Sequence, residues 1–217
     1  MIMKTLNQYI KEKLIINKNY RDNAIVAKSF DELRKIIEDR YDKLGPGTKE
    51  NPVDFNDIDV SNIDSFYNKG IGIFARTRFK YIDISDWDVS NMKSMRSMFY
   101  GCDELKSVGN ISGWDVSNVT DMRYMFYECD ELKSVGDISG WDVSSVNDMH
   151  GMFCECKSFN QDLSSWNVSN VIIMTSMFDG CKSFNQDLSK WNVSNVRHHD
   201  YMFEKCPIKE EYKPKFK

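Results

Sequence analysis

The chain has 217 residues, of which 29 are basic and 33 acidic, and a formal net charge of −4. That length suits one elongated domain, and no run of 18 apolar residues is present, so no membrane-spanning helix is expected. Charge is uneven: residues 1–50 carry +3, residues 51–203 carry −9 and residues 204–217 carry +2. An acidic body disfavours binding to phosphate backbones; it leaves either a basic partner surface or a merely solvated face.

From the start of the chain, Leu6, Ile10, Leu14 and Ile15 fall at helical spacing over residues 4–17. Ser29 with Glu32 three residues on is a capping box, and Phe30, Leu33, Ile36, Ile37 and Tyr41 make the apolar face of a second helix. Gly45 and Pro46 stop it. Residues 1–56 thus read as a helical N-terminal segment, its second helix capping the remainder of the chain. The first helix either completes that cap or serves as a docking or oligomerisation peptide. Residues 66–84, with Phe66, Tyr67, Ile71, Ile73, Phe74, Phe79, Tyr81 and Ile82, form an irregular, lengthened unit.

Five copies of Trp-Asp/Asn-Val-Ser then recur at Trp87, Trp114, Trp141, Trp166 and Trp191, spaced 27, 27, 25 and 25 residues apart. Such a period marks a stacked-repeat architecture. Aligned on the tryptophan, each copy carries an aliphatic residue or Met five positions on (Met92, Val119, Val146, Val171, Val196). It carries Met at eight (Met95, Met122, Met149, Met174), replaced by His199 in the last copy. Met-Phe follows at eleven and twelve (Met98-Phe99 through Met202-Phe203), then Cys at fifteen (Cys102, Cys129, Cys156, Cys181, Cys206). Steps of three and four residues, as in Val119, Met122, Met125/Phe126 and Cys129, predict one short helix per copy. The segment from Leu105 or Phe159 towards the next tryptophan predicts one short strand. Neighbouring copies stacked roughly 4.8 Å apart would give six of them a length of about 30 Å. Asp57–Ile63 is a sixth, degenerate copy without its Trp, and Pro207 marks the end of the last one. Residues 57–206 are therefore the repeat body and 207–217 a C-terminal tail. The expected fold class is α/β: a leucine-rich-repeat-like solenoid, one short strand and one short helix per 25–27 residues, with a helical N-terminal cap.

These columns resemble the bacterial surface-protein repeat family of about 26 residues, the domain of unknown function DUF285, with its BspA-like leucine-rich-repeat relatives. Members occur in bacterial surface lipoproteins and gut phages, and the opening Met3–Leu14 is also similar to phage-protein openings. The resemblance implies a binding or adhesive solenoid with no catalytic residue to carry over. No secretory leader or lipobox is visible, since Lys4, Gln8, Lys11, Glu12 and Lys13 interrupt any apolar run and the first cysteine is Cys102. The expected location is the cytoplasm of a bacterial host, or a virion.

No chemistry-bearing motif stands out. The cysteine column reads as a ladder of small buried thiols, with Cys154 as the exposed, reactive one; no metal site or cofactor is expected. Asp88, Asp115, Asp142, Asn167 and Asn192 are expected to bond turn backbone rather than chelate calcium. His150, His198 and His199 lack a recognisable orienting partner for catalysis. Candidate partner contacts are Tyr100, Tyr124, Tyr127 and Tyr201 on the helix side and Lys106, Lys133, Asn160, Gln161, Asn185 and Gln186 on the strand side. The expected role is a non-enzymatic scaffold for a protein partner, the alternative a structural or adhesive component of a phage particle or cell surface.

Overall fold

A computed structural model describes residues 24–217. The helix expected over residues 4–17 lies outside them. In chain order the described elements are β1 (Ile25–Val26), α1 (Phe30–Leu44), β2 (Val53–Asp54), β3 (Ile58–Asp59), β4 (Tyr67–Asn68), β5 (Ile71–Gly72) and β6 (Ile82–Asp83), followed by two short 3-10 turns at Ile138–Gly140 and Glu210–Tyr212. The fold is mixed: short strands, one α-helix among the described residues, and no closed sheet. β1 pairs with β3 and β2 with β6 in parallel, and β4 with β5 antiparallel.

The Ser29 half of the capping box forms as expected, while the Glu32 carboxylate reaches one residue further back, to Lys28. Glu32 N–H donates to Ser29 Oγ at 3.2 Å, Lys28 N–H to Glu32 Oε2 at 3.0 Å, and Gly45 ends α1 with φ +71°. Leu33 and Ile37 are buried. A helical cap is nonetheless not what the described residues show. After Leu44 the chain is turn and two-residue strand, because Gly45-Pro46-Gly47 breaks the helix and Val53–Asp54 pairs with β6. Arg34 of α1 reaches into the body, where its Nη1 donates to the carbonyls of Gly72, Ile73 and Ala75 at 3.1, 2.9 and 3.3 Å.

The expected helix in each copy does not form. The stretch from Met95 to Cys102 and its equivalents are runs of β-turns. In the copy at Trp87, Met98, Tyr100 and Cys102 donate to Met95, Ser97 and Phe99, three residues back. The intervening amides of Met95, Ser97, Phe99 and Gly101 cross to Asp121, Arg123, Met125 and Tyr127 of the next copy, at 2.8–2.9 Å. Every fourth residue has positive φ: Ser97 and Gly101, Tyr124 and Glu128, Gly151 and Glu155, Ser176 and Gly180, Tyr201 and Lys205. Each non-glycine among these costs on the order of 1 kcal/mol, offset by the bonds the neighbouring copy offers. A turn that closes every four residues returns apolar side chains to one face as a helix does, so the spacing alone could not separate the two.

Single parallel bridges tie the copies in sequence, Ser65 to Ser94, Asp121, Asp148, Ile173 and His198. The degenerate copy takes its place among them. Ser61 N–H donates to Asp59 Oδ1, and Ile63 N–H to Val60, as Met92 N–H does to Val89.

The invariant columns become ladders. Phe74, Phe99, Phe126, Phe153, Phe178 and Phe203 stack ring on ring with centroids 5.3–5.8 Å apart. Each tryptophan is buried, and its indole N–H donates to a carbonyl of the preceding copy: Trp87 to Phe55, Trp114 to Ile84, Trp141 to Ile111, Trp166 to Ile138 and Trp191 to Leu163. Asn91, Asn118, Asn170 and Asn195 likewise donate to Ser61, Ser90, Ser144 and Ser169. The Asp/Asn column accepts from the serine N–H two residues on, as in Asp115 with Ser117 at 3.1 Å.

The tail is packed down. Leu188 N–H donates to Tyr212, Ile208 is buried, and Phe216 stacks on His199 at 3.9 Å. His199 thus occupies a Met column at a place where an aromatic face is needed.

Candidate functional site

The irregular unit at residues 66–84 shapes one face. Its β4–β5 hairpin turns through Lys69 (φ +48°) and Gly70 (φ +89°), the two positive angles of a type I′ turn. Gly72 lies so close to the Ser97 carbonyl that a Cβ there would collide with backbone. The hairpin is therefore seated directly on the neighbouring turn ribbon, and it stands as a wall beside the tyrosines of the first two full copies.

The cleft so formed has a volume of about 480 Å³, with Tyr67, Arg76, Arg96, Tyr100, Tyr124 and Tyr127 in its lining. Tyr100 and Tyr127 stack at 4.7 Å, and Tyr124 packs edge-on to both. Arg96 lies 4.4 Å over the Tyr67 ring and Arg76 5.6 Å over Tyr100. Among the described residues neither Arg76 nor Arg96 has a carboxylate in ion-pair range, and Arg96 Nε is buried without a hydrogen-bond partner. Arg123 differs. It forks onto Asp121 at 3.0 and 2.6 Å and lies 3.5 Å from Asp148 Oδ2.

Behind the tyrosines, Tyr124 Oη and His150 Nε2 share a 3.0 Å hydrogen bond. Burial holds His150 below the usual imidazole range. Burial also raises the Asp148 carboxyl, in spite of Arg123, and pushes the Tyr127 phenol up to about 12. The cleft is lined by tyrosines and by the guanidinium groups of Arg76 and Arg96.

The structure gathers Tyr100, Tyr124 and Tyr127 here. Tyr201, 69% exposed, stands apart on the last copy. Lys106 and Lys133 share a second depression with Lys49, Tyr81 and Glu131. The four amide candidates hold copies together. Gln161 accepts from Val135 N–H at 3.0 Å and donates to the Gly136 carbonyl; Gln186 donates to Asn160; Asn185 accepts from Lys209 N–H at 3.0 Å. Gln161 lies where the period shortens from 27 to 25 residues, and its amide both accepts and donates there as a peptide unit would. Tyr67, Arg76 and Arg96 escape a reading of the sequence because they lie off its invariant columns; only Gly70 beside Lys69 signals the hairpin.

All six cysteines are free thiols. Cys102, Cys129, Cys156 and Cys181 donate to phenylalanine carbonyls of the preceding copy at 2.9–3.2 Å. Cys154 is not the exposed one: it is 6% exposed, and its thiol is pushed up to about 12 by burial and then by nearby carboxylates. It sits on the turn ribbon beside Tyr127, which is why it is shielded; Cys206 is half-buried instead. Since the thiolate is the reactive form, iodoacetamide at pH 8 is expected to leave Cys102, Cys129, Cys154, Cys156 and Cys181 unmodified in native buffer and to label all six in guanidinium. Mass spectrometry of tryptic peptides reads the outcome; fast native labelling of Cys154 would contradict it. Among the described residues no group of three or more His, Cys, Asp or Glu side chains is placed to hold a metal ion, and no helix is long and apolar enough to cross a membrane.

The family model described as "Mycoplasma protein of unknown function, DUF285" matches residues 48–135 and 106–213. No curated protein and no solved structure matches.

Proposed function

As the chain belongs to the DUF285 family of uncharacterised repeat proteins, we propose that it is a leucine-rich-repeat-like solenoid acting as a non-enzymatic scaffold for a protein partner, in a bacterial or phage setting. The observation that carries this reading is the tyrosine cluster. Its members are half-exposed, held by one another, and walled by a hairpin that the other copies lack. Tyrosine presents a large amphipathic surface at low entropic cost, and such rigid anchors dominate protein interfaces. Against catalysis stand the raised Cys154 thiol and a His150 whose ring bonds a phenol rather than an orienting carboxylate.

The test is affinity capture from a lysate of the organism that encodes the chain, comparing wild type, Tyr127→Glu and the pair Lys106→Glu, Lys133→Glu. One stoichiometric protein retained by wild type and the lysine variant but lost with Tyr127→Glu supports the reading. Capture of nothing, or equal loss in both variants, overturns it.

A further inference from the structure

Resting on that reading, we infer that the cleft between the β4–β5 hairpin and Tyr127 takes an extended acidic segment of the partner, with a carboxylate received by Arg76 and Arg96. Four observations converge. Two guanidinium groups line one cleft, and among the described residues neither meets a carboxylate. Arg123, one copy along, shows what the alternative looks like, because Asp121 and Asp148 already occupy it. Arg96 Nε is buried without a partner, a donor position that normally finds an acceptor. Each guanidinium lies over a tyrosine ring, which orients its remaining N–H groups and leaves the charge in place.

A peptide fits these groups better than a nucleic acid strand does. Single strands are held by bases stacking on free aromatic faces. Here each of these rings is already engaged: Tyr100 stacks on Tyr127 and carries Arg76, and Tyr67 carries Arg96. The acidic remainder of residues 51–203, net −9, repels a continuous phosphate backbone but tolerates a few carboxylates focused on two arginines.

The probe is a fluorescein-labelled peptide, Gly-Glu-Glu-Phe-Glu-Glu-Gly, measured by anisotropy beside its glutamine and lysine versions and a labelled oligothymidylate. The glutamate peptide is expected to bind about tenfold tighter than the glutamine peptide, and more weakly as salt rises. Arg76→Gln, at an exposed position that leaves the fold intact, should remove most of that preference, and Arg96→Gln the rest; the thermal midpoint verifies folding. Equal binding of the glutamate and glutamine peptides, no binding of either, or tighter binding of the oligothymidylate each overturns the assignment. If peptide preference fails while capture of the protein partner still depends on Tyr127, the tyrosine face stands and the acidic occupant falls.

Discussion

Phe126→Ala is expected to lower the free energy of unfolding by about 3–5 kcal/mol, measured by urea titration followed through tryptophan fluorescence. Phe126 is fully buried, with Phe99 5.3 Å to one side and Phe153 5.6 Å to the other, both nearly parallel to it. Its loss opens a cavity that cannot collapse. The rings on either side are held by their own copies, whose backbones are pinned by amides crossing at 2.8–3.0 Å. The control is Phe203→Ala at the end of the same stack, half-buried and touching only Phe178 along it, at 5.8 Å. That change should cost about 1–2 kcal/mol. Equal costs at the two positions would show that the stack does not act as a continuous core.

Trp141 separates packing from hydrogen bonding. Trp141→Ala should cost about 3–5 kcal/mol, since the buried indole packs between Trp114 at 6.4 Å and Trp166 at 6.3 Å. Trp141→Phe keeps most of the apolar volume but deprives the Ile111 carbonyl of the indole N–H, now at 3.1 Å. That carbonyl keeps the Trp114 N–H at 3.2 Å, so the change removes one hydrogen bond and should cost about 0.5–1.5 kcal/mol. A phenylalanine variant indistinguishable from wild type would mean that the ladder of indole donors contributes nothing beyond burial.

The buried set was legible because every copy repeats it. The Trp, Val, Met-Phe and Cys columns are inside in each copy except at the last, where Val196, Phe203 and Cys206 are only partly covered. The turn role of Asp88 through Asn192 was legible too, since a short polar side chain two residues ahead of a serine amide has few other uses. What eluded the pattern was whatever depends on which backbone a donor meets. Val119, Met122 and Cys129 have helical spacing, yet Met122 N–H finds Asp148 of the next copy. Gln161 imitates a peptide bond, which no propensity encodes. The cleft was invisible for a related reason: it is assembled by Tyr67 and Arg76, from the one unit with no tryptophan to align it, against Arg96 and Tyr127.

The crossing amides also have a direction. In the ribbon at residues 121–128 the carbonyls of Asp121, Arg123, Met125 and Tyr127 accept from the preceding copy, while the N–H groups of Met122, Tyr124, Phe126 and Glu128 donate to the following one. The peptide units joining these pairs therefore all point the same way, and the next two ribbons repeat the arrangement. Strand dipoles in an ordinary sheet alternate and cancel; these add, as they do along an α-helix. The negative pole falls at Ile73 and Ala75, where the Arg34 guanidinium sits on their carbonyls. The positive pole falls at the copy containing Tyr201, whose ribbon amides face outward. The stack is thus an electrical dipole built from uncharged groups, its axis set by the backbone and independent of the acidic surface wrapped around it.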